Sequence, residues 1–373
     1  MLKATSFAAL FVLAASGCTA APADDHADTS TAAVVTLATD PSFGASGVVD
    51  VHQGCFGAAP LQDGKVLAVC TGSSGIYRFD ADGGVDRTFG EHAGVTWSSL
   101  YLPLLRVAPD GRIYLVSQNG SDRILVQRLT PEGARDTSFG DGSVVRIEGA
   151  RSASRVATIS PEGELLLGLN EAGGSTRVLA LGDDGAVARS IEVPFGPRGE
   201  VSSIAHDAAG RLVVAGVDGA TSQPALARFI DGVLDPSFGT NGVATIDFRD
   251  GGYACGVEPL GGAIYLSCAT SREAAIARVT DDGALDPSWA TAGFLVAGYG
   301  WSRTMSFDPF GRLILLEHGE LRRFDARGAV ELTLALPGSL PVGRLSFQAD
   351  GKPIASFARD VSRGGVVRFL PLP

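Results

Sequence analysis

Residues 235–242 read DPSFGTNG, and the pattern Asp-x-Ser/Thr-Phe-Gly within this stretch recurs at intervals of about 50 residues. An aspartate and a hydroxyl side chain ahead of glycine are typical of a tight turn that leads into a strand. A repeat of this period indicates an array of similar units, rather than the two or three domains that 373 residues would otherwise suggest. The copies, of which the last has drifted, run from Asp40 to Gly44, Asp86 to Gly90, Asp136 to Gly140, Asp235 to Gly239 and Asp286 to Ala290.

Two further signatures accompany this motif in a fixed order. Apolar hairpins surround seven turn glycines: Gly64, Gly111, Gly163, Gly210, Gly261, Gly311 and Gly351. A third strand then carries an arginine followed by a large apolar residue, at Arg78, Arg128, Arg228, Arg278, Arg323 and Arg368, with Ala180 as the exception. Each unit therefore holds about four short strands, which cannot bury both faces of a sheet alone. The sequence predicts an all-β fold, a seven-bladed β-propeller of four-stranded antiparallel blades.

The motif DPSFGTNG and the Arg-Phe strand resemble the delta-60 repeat family of bacterial surface proteins, over residues 37–373. The strand order is also similar to the NHL propeller pattern. That likeness implies that the strand after each Asp-x-Ser-Phe-Gly is the outermost of its blade. The copy near Asp40 would then complete the last blade and close the ring. The delta-60 family shares no known reaction, so the resemblance implies a fold and not an activity.

Five of the six repeated arginines stand seven or eight residues before an acid. Where the arginine is replaced by Ala180, the residue eight positions later is Ala188, and joint loss is expected for partners in a buried ion pair. Arg368 has no acid after it, so ring closure is expected to supply Asp40. The alternative is a ring of acids that binds a metal. The predicted structural ion pairs are Arg78 with Asp86, Arg128 with Asp136, Arg228 with Asp235, Arg278 with Asp286, Arg323 with Glu331 and Arg368 with Asp40.

Four cysteines flank two hairpin turns symmetrically. Cys255 and Cys268 are equidistant from the Gly261-Gly262 turn, and alternation makes them a non-hydrogen-bonded pair, the closer kind. Cys55 and Cys70 flank their turn in the same way. The sequence predicts two disulfides, each joining the two innermost strands of a blade, and the alternative is four buried thiols.

The first 18 residues predict a lipoprotein-type signal peptide, with a basic start, an apolar stretch and small residues before Cys18. Ala15 to Cys18 resembles a lipobox, which implies that Cys18 carries lipid. Residues 19–36, rich in Ala, Thr and Asp, predict a flexible tether to the propeller at 37–373. The expected location is the bacterial cell envelope, lipid-anchored at the outer membrane, periplasmic or surface face, or else the exterior as a secreted protein.

Composition excludes some functions and favours none strongly. A net charge of −11 argues against nucleic acid as a partner, and 45% hydrophobic residues can bury a large core. The five histidines show no metal-ligand spacing, and neither a nucleophile elbow nor a phosphate-binding loop occurs. We therefore expect neither a metal nor a cofactor. We also expect the protein to be a monomer.

The connections from each outer strand to the next blade supply the candidate ligand-binding residues. Tyr299 and Trp301 are the strongest candidates, because flanking glycines can present their rings to a sugar or peptide. Arg303, Tyr253 and Arg249 are the other candidates, and the alternative is that the rings pack between blades. The leading hypothesis is a non-enzymatic platform that binds a protein, peptide or glycan. The second is a propeller hydrolase or lactonase, with a metal-assisted site and His206 or His52 near the central channel.

Overall fold

The turn glycines of the seven predicted hairpins all have φ between 60° and 90°. Glycine adopts this left-handed region at little cost, which allows a short connection between antiparallel strands. In the computed structural model, each of these turns joins the first and second strands of one blade. The structure describes residues 35–71, 75–90, 104–118, 120, 122–151, 156–248, 251–270, 273–296, 305–317, 319–339, 342–360 and 362–373.

Two short strands, β1 (Val35–Thr36) and β2 (Val48–Asp50), precede the first blade in the chain. Blade 1 contains β3 (Cys55–Pro60), β4 (Val66–Cys70) and β5 (Ile76–Phe79). Blade 2 contains β6 (Leu104–Val107), β7 (Ile113–Gln118), β8 (Arg123–Leu129) and β9 (Val144–Glu148). Blade 3 contains β11 (Ala157–Ile159), β12 (Leu165–Glu171), β13 (Thr176–Leu181) and β14 (Val187–Glu192), with β10 (Ala150–Arg151) paired to β12.

The remaining four blades repeat this order. Blade 4 contains β15 (Glu200–His206), β16 (Leu212–Val217), β17 (Pro224–Ile230) and β19 (Val243–Thr245), with β18 (Val233–Leu234) also on β17. Blade 5 contains β20 (Tyr253–Leu260), β21 (Ala263–Ala269), β22 (Ala274–Val279) and β23 (Phe294–Val296). Blade 6 contains β24 (Met305–Phe307), β25 (Leu313–Glu317), β26 (Glu320–Phe324) and β27 (Val330–Ala335), and a 3-10 turn follows at Pro337–Ser339. Blade 7 contains β28 (Val342–Phe347), β29 (Pro353–Asp360) and β30 (Arg363–Arg368).

The N-terminal strand β2 closes the ring. It pairs antiparallel with β30, with Val49 opposite Val366, and so becomes the outer strand of blade 7. Strands β28 and β29 also contact β3 of blade 1. This closure by an N-terminal outer strand confirms the prediction of a seven-bladed propeller.

Strand β1 was not expected, since its residues fall in the predicted tether. Val35 lies opposite Leu334 in a parallel pairing with β27, which makes β1 a fifth strand of blade 6. The backbone amide of Leu37 then donates to the carbonyl of Ala335 at 2.8 Å, and the Leu37 side chain is buried between blades 6 and 7. The folded part of the chain thus includes the last two residues of that segment.

The core lies between neighbouring blades. Second strands are mostly buried, and β4 is buried along its whole length, as expected for sheets covered on both faces. One apolar cluster, for example, joins Val66 and Phe79 of blade 1 to Ile354 of blade 7. We call the side that carries the turns between first and second strands the hairpin face, and the other side the opposite face. No helix that could cross a membrane occurs in the described part of the chain.

Candidate functional site

The repeated aspartate motif forms a compact polar contact inside each blade that carries it. In blade 4, Arg228 Nε donates to Asp235 Oδ2 at 2.7 Å, and both side chains are buried. The other carboxylate oxygen, Oδ1, accepts the Ser237 backbone amide and hydroxyl at 3.0 and 2.6 Å. The guanidinium carbon of Arg228 lies 4.6 Å from the centre of the Phe238 ring, within cation–π range. The motif therefore neutralises a buried arginine with one carboxylate and covers it with one ring.

The same motif also connects each blade that carries it to the next blade. The backbone amide of Gly239 donates to the carbonyl of Asp282 in blade 5 at 2.7 Å, and Arg228 Nη1 donates to the carbonyl of Asp281. Four other copies make the equivalent amide contact, namely Gly44 to Asp82, Gly90 to Glu132, Gly140 to Asp184 and Ala290 to Arg327. Because these contacts cross between blades, we call the assembly of arginine, aspartate, aromatic ring and amide the interblade motif.

All six ion pairs expected from sequence are present. Arg368 Nε lies 2.9 Å from Asp40 Oδ2, so the two ends of the propeller meet in this pair. At the position without an arginine, Ala180 is buried in the apolar core. The other nitrogen–oxygen separations are 2.7 Å for Arg78 and Asp86, 2.7 Å for Arg128 and Asp136, 2.7 Å for Arg228 and Asp235, 3.0 Å for Arg278 and Asp286, and 2.8 Å for Arg323 and Glu331.

The aspartates of these pairs are held in the ionised form. Burial opposes ionisation of Asp40, but hydrogen bonds from Ser42 and Lys352 and the charge of Arg368 outweigh it and lower its pKa to about 2. A hydrogen bond from Ser237 is the main reason that the pKa of Asp235 is lowered. For Asp286 the main cause is the hydrogen bond from Ser288, and its pKa is lowered as well.

Stability is therefore expected to fall in acid. A carboxyl whose pKa is lower in the folded state stabilises the fold above its unfolded pKa, near 3.9, and this stabilisation is lost as the pH falls through the folded pKa. Asp40 alone should contribute about 2 kcal/mol at neutral pH that disappears between about pH 4 and pH 2. Urea unfolding measured across this range checks the expectation, with Asp40→Asn as the variant whose pH slope should be shallower. A free energy of unfolding that is unchanged from pH 4 to pH 2 would contradict it.

Both predicted disulfides are confirmed. Cys55 bonds to Cys70 with a Cα separation of 3.9 Å, and Cys255 bonds to Cys268 with a Cα separation of 4.2 Å. Each bond joins the first and second strands of its blade, and all four residues are buried. The short separations agree with cross-strand positions of the closer, non-hydrogen-bonded kind.

Most of the predicted ligand-binding residues, Tyr299, Trp301, Arg303 and Arg249, lie outside the described residues, as does the predicted lipidation site Cys18. Tyr253 is described at the start of β20, with 42% of its surface exposed on the opposite face. His52 lies between blades 7 and 1, and its side chain is largely exposed. The ligand-binding role of these residues stays a prediction.

A cleft of about 720 Å³ opens on the hairpin face. The ends of the innermost strands and their turns in blades 1 to 3 form most of its wall, and His206 at the end of β15 completes it. Most of the lining is apolar, and the charged residues Asp63, Asp110 and Arg78 also line it. The apolar lining residues include Pro60, Leu61, Val107, Pro109, Pro131, Ile159 and Pro161. Residue types such as these carry little functional signal, so sequence reasoning missed the cleft and favoured the opposite face.

His206 is the polar side chain in this cleft with an unused hydrogen-bonding atom. Its Nδ1 is buried and has no hydrogen-bond partner among the described residues. Burial lowers the pKa of the imidazole, although the charges of Glu162 and Asp207 oppose this effect. The ring is therefore mainly neutral at pH 7 and can exchange a hydrogen bond with a ligand. The described residues include no group of three or more His, Cys, Asp or Glu side chains placed to hold a metal.

Comparisons with known proteins agree with the fold. Residues 108–139 match the family described as a domain of unknown function (DUF5122) beta-propeller. No curated protein matches the chain. The matched residues contain the hairpin turn, the Arg128 strand and the Asp136 copy of the interblade motif, so the family model covers one repeat of the ring.

Several solved propellers are similar in structure. Virginiamycin B lyase from Staphylococcus aureus, solved with quinupristin, has a TM-score of 0.58 and 15% identity, covering 86% of this chain and 96% of that chain. For BamB from Moraxella catarrhalis the TM-score is 0.52 and the identity 14%, covering 84% and 96% of the two chains. BBS1N in complex with ARL6DN gives a TM-score of 0.54 at 15% identity, covering 91% and 98%. At these identities the likeness is one of fold alone.

Proposed function

We propose that this protein is a binding platform for a protein, peptide or glycan outside the cytoplasm, and that the cleft on the hairpin face is its binding site. The observation that carries the proposal is the construction of the cleft. Its wall combines apolar side chains from successive blades with one neutral imidazole, that of His206. Binding sites commonly pair a largely apolar surface with a few polar groups that orient the ligand. The interblade motif fixes these blades relative to one another, so the cleft is formed before the ligand arrives.

The disulfides support a location outside the cytoplasm. Bonds such as Cys55–Cys70 form and persist in oxidising compartments and are rare in the cytosol. Two sequence features also support a location outside the cytoplasm. They are the lipobox-like sequence that ends at Cys18 and the resemblance to delta-60 repeats of bacterial surface proteins. We accordingly place the protein at the bacterial envelope, held by a lipid on Cys18.

A propeller enzyme is the second candidate, and one observation favours it. The neutral, partly buried imidazole of His206 faces a cleft large enough for a substrate, and histidine is the commonest general base. A hydrolase or lactonase built on this residue would lose its activity in a His206→Asn variant. The exposed His52→Asn variant is the matched control.

Filling the cleft tests the binding proposal. Pro161 lines the cleft in the hairpin turn of blade 3, and Pro309 occupies the same turn position in blade 6 without lining it. We expect peptides selected from a random phage-displayed library to bind Pro161→Trp at least about tenfold more weakly than wild type, a change of about 1.4 kcal/mol. The Pro309→Trp variant, equally exposed in the fold, should bind as wild type does. Isothermal titration calorimetry gives the affinities, and equal binding by all three proteins would place the site elsewhere.

A further inference from the structure

The hairpin turns of the seven blades differ in the residue that precedes the turn glycine. Blades 4, 5 and 6 carry Ala209, Leu260 and Phe310 there, whereas four consecutive blades around the ring carry an exposed acid. These acidic turns are Asp350 in blade 7, Asp63 in blade 1, Asp110 in blade 2 and Glu162 in blade 3. The turns of blades 1 to 3 also build the cleft, so three of these four acids lie in turns that form it.

Two of these acids form no ion pair within the described residues. Asp63 Oδ1 accepts only the backbone amide of Lys65, at 3.1 Å, while the Lys65 ammonium pairs with Asp80 and Asp86 instead. Hydrogen bonds from its own backbone amide and from Ser160, together with the charges of His206 and Arg189, lower the pKa of Glu162, but Arg189 forms its ion pair with Glu164. The remaining two acids do have partners, since Asp110 pairs with Arg112 at 2.5 Å and Asp350 pairs with Lys352 at 3.2 Å. The two carboxylates without an ion pair therefore belong to the turns of blades 1 and 3, on either side of the blade 2 turn.

We propose, resting on the binding function above, that the cleft recognises a basic peptide segment in which an apolar side chain stands next to a lysine or arginine. The apolar side chain would enter the cleft between Leu61, Val107 and Ile159. The neighbouring cation would lie over the rim, near Asp63 and Glu162. Complementary charge at the edge of an apolar site selects the partner and speeds association. The mostly apolar wall offers few groups to pair with the hydroxyls of a glycan, which favours a peptide.

Three labelled synthetic peptides test this proposal. They share a Leu-Leu centre and carry lysine, serine or glutamate on both flanks, and their affinities are measured by fluorescence anisotropy at low and at physiological salt. We expect the lysine peptide to bind about tenfold more tightly than the glutamate peptide at low salt, and this ratio to shrink as salt screens the exposed charges. In the double variant Asp63→Asn with Glu162→Gln, the lysine peptide should lose about threefold to tenfold in affinity, and the serine peptide should lose nothing.

The controls separate this proposal from the general binding function. Asp350→Asn removes an acid at the same turn position outside the cleft, keeps the turn acceptor for the Lys352 amide, and should leave all three affinities unchanged. Equal affinities for the three peptides, all reduced by Pro161→Trp, would overturn the basic-peptide proposal and leave the binding site in place. Failure of all three peptides to bind would also overturn it. If a glycan array then gave ligands sensitive to Pro161→Trp, the binding function would stand, and without such ligands both proposals would fail.

Discussion

Replacing Asp40 with alanine is expected to lower the free energy of unfolding by about 3–5 kcal/mol, the usual result of leaving one member of a buried ion pair unpaired. The Arg368 side chain is 5% exposed and that of Asp40 is 4% exposed, so little solvent could replace the lost carboxylate. Lys352 Nζ also lies 3.2 Å from Asp40 Oδ2, and the variant would leave two cations facing each other. The pair joins residues 328 positions apart, at the point where the ring closes. Urea unfolding followed by far-ultraviolet circular dichroism measures the change.

Asp286→Ala is the matched control for this variant. It occupies the same position in the motif and also accepts a serine hydroxyl, from Ser288 at 2.6 Å. Its partner Arg278 is 28% exposed, however, so water can solvate the guanidinium when the carboxylate is removed. We expect a loss of about 1–2 kcal/mol, the sum of a partly exposed ion pair and a hydrogen-bonded turn. Equal losses in the two variants would mean that burial of the ion pair does not determine how much it contributes to the free energy of unfolding.

The ring and its ion pairs could be predicted because both follow from local spacing. A strand, a tight turn and a second strand place residues seven or eight apart beside each other, so Arg228 and Asp235 meet whatever the rest of the chain does. The period then extends this result to each blade in which an acid follows the arginine. Even the long-range pair of Arg368 and Asp40 could be predicted, because a closed ring leaves one arginine and one acid without local partners. The two disulfides follow from the symmetry of their hairpins in the same way.

Contacts between units were harder to predict, because they depend on how one blade lies against the next. Nothing local requires that the Gly239 amide reach the Asp282 carbonyl, and the binding cleft likewise combines residues such as Leu61 and His206 that lie in different blades. Strand β1 is a similar case. Val35 and Thr36 follow an Ala- and Thr-rich segment that predicts a tether, yet they pair with the outer edge of β27, which was free to accept them. An open sheet edge selects its partner by backbone hydrogen bonds, which leave little trace in side-chain pattern.

Gly283→Ala should destabilise the protein by about 3–5 kcal/mol, because a methyl group there would separate two blades. A Cβ at Gly283 would lie 2.7 Å from the backbone nitrogen of Gly239, which already donates to the Asp282 carbonyl at 2.7 Å. Neither backbone can yield without breaking that hydrogen bond, so the cost of overpacking adds to the cost of the left-handed conformation. Thermal and urea unfolding of the variant measure the loss.

Gly163→Ala separates these two contributions. Its φ is also 90°, but a Cβ at Gly163 would meet nothing within 4 Å, so this variant carries the conformational cost alone, about 1–2 kcal/mol. The difference between the two variants, about 2–3 kcal/mol, then measures the close contact between blades 4 and 5. If the two variants were equally destabilised, glycine would be required at position 283 only for its left-handed backbone conformation. A larger loss at Gly283 would instead show that the glycine of the turn between third and outer strands is needed for the amide of the preceding blade to approach.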